Sequence, residues 1–398
     1  DERSDGFLSL AFLLDEVLKV NPEIQAALER VEESRSRIPQ SGALPDPDFE
    51  LEGSNVGSRR ITLGEEPESM ISFKISQEFP VAGKRGVRKQ IAATEADQAF
   101  QNLRGKERRV IAILKSNYYD LQALYKAQEI IEKNKELLQT FAKTAEARYA
   151  VGQGIQQDIL KAQVEISTLL QRLTQLEQQR QTSRAAINAL LNRSAESPLD
   201  QPSALVQEKI TAPIDQLREL SIEESPVVKA SKLAVKMGES NLVLAKKDYY
   251  PDIKIGLGYQ NRGMMDSVYS LSFMIPIPVY YKSKQNYLIQ EAASGLKAAN
   301  HELQATKQDT LFRVREQIYA LKASKRVVEL LETATIPQAS LALESSLAAY
   351  RVGKVDFLTL LNNLLTLFNL ELEYYQEITN YNKTIARLEE TLAMMLTK

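Results

Sequence analysis

The side chains able to do chemistry are few, and they point to solvated surfaces rather than to bond breaking. The chain has no cysteine and a single histidine, His301, in 398 residues. That removes disulfides, thiolate metal sites and thiol nucleophiles. His301 stands alone in a helical stretch and reads as a surface residue. There is no Gly-rich phosphate loop, and no acid pair stands out from the general charge. Neither an enzyme nor a cofactor is therefore expected. What remains is charge at regular spacing. Glu50 and Glu52 alternate with Phe49 and Leu51, Lys74 with Phe73 and Ile75, and Lys254 with Ile253 and Ile255. Two isolated carboxylates, Asp158 and Asp356, lie shortly after two Val-Gly pairs, Val151-Gly152 and Val352-Gly353. Met264-Met265 is a soft-donor pair that reads as a turn. The net charge of −2 gives no basic footprint for nucleic acid.

The charged positions sit in short alternating segments. Ile71, Phe73 and Ile75 take turns with Ser72, Lys74 and Ser76; Ile253, Ile255 and Leu257 with Lys254 and Gly256; Leu271, Phe273 and Ile275 with Ser272 and Met274. Period-two alternation puts each set on its own face of a strand. Arg262–Asp266 is the expected turn of a hairpin. Tyr249-Tyr250 and Tyr280-Tyr281 flank it.

The rest reads as helix. Ile111, Leu114, Tyr118, Leu121 and Tyr125 step by threes and fours, as do Leu124, Ala127, Ile131, Asn134, Leu138, Phe141 and Ala145. This is staggered coiled-coil spacing. In the second half Leu311, Val314, Ile318, Leu321 and Val328 form one seam, which Lys325 interrupts. Pro337 is expected to kink or break that helix.

The order repeats. Pro251–Ile255 matches Pro47–Leu51 at an offset of 204 residues, Pro278-Val279 matches Pro80-Val81 at 198, and Tyr350–Gly353 matches Tyr149–Gly152 at 201. Landmarks in one order at such similar offsets indicate an internal duplication. The first copy is placed at 1–212, with strands at 48–57 and 69–79, a long helix at 87–151, a return helix at 155–192 and an inter-repeat segment at 193–212. The second is placed at 213–398, with strands at 252–261 and 267–278, a long helix at 285–351 and a return helix at 356–396. The opening DERSDG has no basic or apolar leader segment, so any signal peptide has been removed or never existed.

No run of about 18 apolar residues exists, which excludes a transmembrane helix but not a barrel. Four strands cannot close a barrel, and open edges are not tolerated in lipid. Two copies would give a barrel filled by its own side chains; three give twelve strands and a lumen. Ile71, Phe73, Ile75, Ile253, Ile255, Leu257, Leu271, Phe273 and Ile275 are then expected to face lipid. Glu50, Glu52, Lys74 and Lys254 are expected to face the lumen, with the tyrosine pairs in an interfacial girdle. A soluble coiled-coil scaffold is the alternative from another class. It accounts for the helices but not for two hairpins at matching positions.

A duplicated helix–hairpin–long helix–Tyr-x-x-Gly turn–helix plan resembles the outer membrane factor family, the TolC-like channels of Gram-negative bacteria. The resemblance runs from Leu10 to Leu396. It implies a mainly α fold with a small transmembrane β part. It implies a homotrimer with a shared 12-stranded β-barrel, four strands per chain, in outer membrane lipid on an α-helical coiled-coil tunnel in the periplasm. A belt would be built from Arg193–Leu220 and the termini. The implied role is passive export, the duct joining an inner-membrane pump, of RND type by the same resemblance, through a periplasmic adaptor. Val151, Gly152, Val352 and Gly353 match the family's adaptor-contact tips. Relatives close the entrance with aspartates six and nine residues after the second glycine. Those positions are Thr359 and Asn362 here, which leaves Asp356 and Asp158 as the nearest gate carboxylates. Asp356 also suits a helix N-cap. Pro80–Arg85 resembles members serving heavy-metal efflux; multidrug efflux and type I secretion ducts share the same architecture.

Overall fold

The computed structural model describes residues 7–59, 62–66, 68–210 and 217–397. Helices α1 (Leu10–Val20) and α2 (Pro22–Gly42) are separated by Asn21. Its Oδ1 accepts from the Glu23 and Ile24 amides at 3.0 and 3.2 Å, and Pro22 starts α2, where a missing N–H costs nothing. Strands β1 (Asp48–Ser54) and β2 (Met70–Phe79) follow, then α3 (Lys84–Ala150) and α4 (Gln156–Leu190). The second copy has α5 (Leu217–Glu224), α6 (Pro226–Lys247), β3 (Ile253–Arg262), β4 (Met265–Met274), α7 (Gln285–Leu330), α8 (Ile336–Arg351) and α9 (Phe357–Leu392). Ser225-Pro226 divides α5 from α6 as Asn21-Pro22 divides α1 from α2.

The chain forms two compact units. One holds the described residues of 28–102 and 227–306, the other those of 1–27, 103–226 and 307–398.

The first unit contains an antiparallel sheet in the order β1-β2-β3-β4. Its strands depart from the expected bounds where the backbone demands it. β1 stops at Ser54 because Asn55 turns into the left-handed region at φ 51°. The β3–β4 turn is only Gly263-Met264, tighter than Arg262–Asp266, and Gly263 supplies φ +66°. β4 ends at Met274, so Ile275 lies beyond the strand rather than within its lipid-facing row. Pro276 and Pro278 cannot donate to a ladder. In the loop between β1 and β2, residues 60, 61 and 67 lie outside the described residues.

The second unit is helical. The α3 seam is buried at Ile111, Leu114, Tyr118 and Leu121, and further along at Ile131, Leu138, Phe141 and Ala145. The expected single helix over 285–351 is three segments. A π-helical turn, Leu331–Thr335, joins α7 to α8. Pro337 lacks the N–H that an α-helix would send to Thr333, and its ring crowds that carbonyl. In the wider turn Ile336 N–H reaches Leu331 O, so the helix passes the proline without ending. Segment 193–210 is held against the helices. Tyr118 and Gln122 bond Ser203, and Asn382 donates to Val206 O at 2.8 Å. Lys115 and Glu389, both buried, pair at 2.5 Å, and Glu389 also accepts from the Leu396 amide at 2.8 Å. Of the belt expected over Arg193–Leu220, residues 211–216 lie outside the described residues.

Candidate functional site: sheet faces and helical tips

Register decides which side chains share a face of the sheet. Leu51 opposes Phe73, which opposes Tyr259, which opposes Tyr269. Phe49, Ile75, Leu257 and Leu271 form the next row, and Ile255 pairs with Phe273. Ile71 and Ile253 lie on the same face, at even spacing from these. The rings touch along a row, Phe73–Tyr259 at 6.3 Å and Tyr259–Tyr269 at 5.4 Å. Much of this face is exposed in the single chain, including Phe49, Leu51, Ile75, Leu257, Leu271 and Phe273. A contiguous exposed apolar face of this kind marks a surface that a membrane or a partner covers.

The opposite face is polar. Glu50 opposes Lys74 with 3.6 Å between charges, and Lys254 pairs with Asp48 at 2.6 Å. Glu52 opposes Ser72, and Glu78 opposes Lys254. Gly256 and Gly258 lie on this face too, opposite Ser272 and Ser270, whose hydroxyls occupy the space beside them. All four charged residues named from the sequence, Glu50, Glu52, Lys74 and Lys254, share this face.

At the base of the sheet the Pro80–Arg85 segment is bonded inward. Lys84 is buried, its ammonium 2.7 Å from Tyr250 O, 3.0 Å from Asp252 and 3.5 Å from Asp248. Asp252 also accepts from the Val81 amide at 3.0 Å. Arg85 donates twice to Gly42 O, at 2.9 and 2.7 Å. The segment that resembled metal-efflux members therefore braces the strand–helix junction. The Tyr249 and Tyr281 rings stand 6.3 Å apart nearby.

The two tips lie in the helical unit and use one turn. Gly152 N–H bonds Tyr149 O and Gln153 N–H bonds Arg148 O; Gly353 and Lys354 do the same to Tyr350 and Ala349, all at 2.9–3.0 Å. Gly152 and Gly353 have φ +73° and +74°, the left-handed helix end that favours glycine. Val151 and Val352 are each 68% exposed. Behind the tips Leu138, Phe141, Tyr350, Phe357, Leu360 and Leu364 form a buried cluster.

Asp356 caps α9, its carboxylate accepting from the Thr359 amide at 2.7 Å. That bond holds its pKa below the usual aspartate range. Asp158, in the first turn of α4, is pushed the other way by burial and by the charge of Asp356, against the pull of Arg148. The structure thus brings Asp158, Asp356 and Arg148 together. Thr359 and Asn362 are exposed on α9.

Arg148 escaped the sequence reading. Its guanidinium donates to Tyr350 O and, at 3.4 Å, to Gln153 O, and it lies 4.7 Å from the Tyr350 ring. It ties the first tip to the second. The one signal was asymmetry, because the position matching it in the second copy is Ala349.

Known proteins share this architecture. The outer membrane protein VceC of Vibrio cholerae superposes with a TM-score of 0.82 at 16% identity, covering 97% of this chain and 96% of that one. CusC, whose structures concern folding and transmembrane channel formation, gives 0.83 at 14% identity, covering 97% and 93%. In sequence, the cobalt-zinc-cadmium resistance protein CzcC of Cupriavidus metallidurans is 21% identical over 394 residues, 96% of this chain and 91% of its own. The family model described as outer membrane efflux protein matches residues 13–193 and 217–393, one stretch in each copy of the repeat. The chain belongs to the outer membrane efflux protein family, channels of the bacterial outer membrane and not a family of enzymes.

Proposed function

We propose that three copies of the chain close one barrel and form an export duct that joins a periplasmic adaptor and an inner-membrane pump of the RND type. The observation carrying this is the sheet: apolar on one face, charged on the other, with β1 and β4 as its outer strands. Each outer strand carries a row of backbone donors and acceptors that lipid will not solvate. In an antiparallel order of four, β1 and β4 run oppositely, so β4 of one copy can continue the ladder onto β1 of the next. Ile71, Phe73, Ile75, Ile253, Ile255, Leu257, Leu271 and Phe273 then face lipid, and Ile275 meets it just past the end of β4. Glu50, Glu52, Lys74 and Lys254 face a wet lumen.

Val151, Gly152, Val352 and Gly353 are the adaptor contacts in this reading, since the valines are exposed apolar side chains and each glycine opens the turn backbone beside them. Arg148, Asp158 and Asp356 form the gate, with Arg148 as the latch between tips; Thr359 and Asn362 line the entrance as neutral groups. The cargo is heavy-metal cations, a reading supported by the likeness to CzcC.

The assembly is tested by purifying the chain in detergent, measuring its mass by light scattering and recording conductance in planar bilayers. A trimer with ohmic conductance is expected; a monomer stable without detergent would overturn the duct. The cargo is tested with a deletion strain. Sensitivity to cobalt, zinc or cadmium is expected, whereas drug sensitivity alone would replace metals by organic substrates.

A further inference from the structure

Lys325 stands where the α7 seam calls for an apolar side chain, because Leu311, Val314, Ile318, Leu321 and Val328 keep the three–four spacing on either side of it. In the structure Lys325 is exposed, so its ammonium stays at the solvent edge of the seam. Beside it the helix and segment 207–210 enclose a hollow of about 410 Å³. Lys322 and Lys325 project from α7 and Lys209 from the segment, while Leu321 and Tyr381 form a buried floor.

Two features set the hollow apart from an ordinary surface dent. Its wall is fixed: Asn382 accepts from the Glu208 amide at 3.0 Å and donates to Val206 O at 2.8 Å. Among the described lining residues, three lysines stand against one carboxylate. Among the described residues none of the three lysines has an ion-pair or hydrogen-bond partner. The one carboxylate in the lining, Glu208, is within 3.3 Å of the Tyr119 hydroxyl, which donates to it.

We propose that this hollow binds a small organic anion bearing two or more carboxylates. Three ammonium groups around an apolar floor complement such a molecule: the carboxylates take charge-assisted hydrogen bonds, and the short hydrocarbon part covers Leu321 and the Tyr381 ring. The hollow is much larger than a bare phosphate needs. Bound there, the anion joins segment 207–210 to α7.

The test uses the full chain in detergent and titrates citrate by calorimetry at constant ionic strength. Saturable binding of one citrate per chain is expected. Two variants keep the outcome tied to the site. Lys325→Leu removes one of the three ammonium groups at an exposed position, so it weakens citrate binding at least tenfold without unfolding the helix. The double variant K209Q/K322Q weakens binding similarly and leaves the helical circular dichroism unchanged. Heat that does not saturate overturns the site, as does equal binding by the variants. Inorganic phosphate binding as tightly as citrate overturns the assignment to an organic anion. None of these readouts requires a conducting channel.

Discussion

The tip turns at Gly152 and Gly353 share their backbone hydrogen bonds, yet the helices that lead to them differ. α3 runs unbroken over 67 residues to the first tip. The second tip is reached through α7, a π-helical turn and α8. The strand–helix junctions differ as well. Lys84 is buried among Asp248, Asp252 and Tyr250 O, while its match in the second copy, Lys282, is exposed. A duplicated plan has thus kept its turns and diverged in what surrounds them. Backbone conformation at a glycine turn tolerates few alternatives, whereas a lysine can be buried or solvated according to its neighbours.

The largest expected effect tests the junctions. Lys84→Met leaves Asp252 partly buried without its cation and should cost about 3 kcal/mol of stability, as removal of one member of a buried pair does. Lys282→Met should stay within about 0.5 kcal/mol, as exposed substitutions do. Urea midpoints of both variants measure this. Equal losses would show that the second junction is as tightly built as the first.

Next comes the link between the tips. Arg148→Ala removes two hydrogen bonds from a charged donor and a ring contact, together worth about 2 kcal/mol. If the tips part on opening, single-channel recordings should show open probability rising by roughly tenfold or more, since about 1.4 kcal/mol is tenfold in an equilibrium constant. Arg148→Lys should restore little, because an ammonium lacks the planar fork that stacks and donates at once. Unchanged gating in Arg148→Ala would leave the contact as packing only.

A smaller effect concerns the helix starts after each turn. At the offset of 201 residues, Asp356 matches Ile155. Asp356 caps α9, while Ile155 begins α4 with no side-chain cap. Asp356→Ala should lower Tm by about 2 °C. Ile155→Ser should stabilise by roughly 0.5 kcal/mol by supplying the absent acceptor. If Asp356→Ala also changes cation preference in bilayers, the cap contributes to the gate; if only Tm moves, it is a cap.

Much of this architecture was legible in the residues. Alternation such as Ile253-Lys254-Ile255 survives any packing because a strand has only two faces, and the Tyr-x-x-Gly turns announce their own φ. The helical seams at Leu114–Leu121 and Leu138–Ala145 were equally open to reading. Arg148, Lys84 and Glu389 were not. Their partners lie 202, 168 and 274 residues away, separations at which no local pattern operates. Pro337 was legible as a disturbance, but the π turn that absorbs it depends on the Ile336 N–H bond to Leu331 O, which the proline alone does not specify.

The smallest effect separates the two tip carboxylates by pH. Asp158 has its pKa raised in the folded chain by burial and by the charge of Asp356. Its folded form holds the proton more tightly than the unfolded one, so its contribution to stability is full below the ordinary aspartate pKa and declines as pH rises above it. Asp356 has its pKa lowered by the Thr359 amide, so its contribution is full above the ordinary value and is lost as pH falls through the lowered one. The two groups therefore act on opposite sides of the ordinary aspartate range. Asp158→Asn should remove the decline on the high side and leave the low side sloping; Asp356→Asn should remove the low-side slope and, by deleting a charge that helps raise the Asp158 pKa, shrink the high-side decline without abolishing it. Tm measured against pH for the two variants reads this directly. If Asp356→Asn abolishes the high-side decline altogether, the charge of Asp356 rather than burial sets the Asp158 shift, and the first and second copies are not independent there.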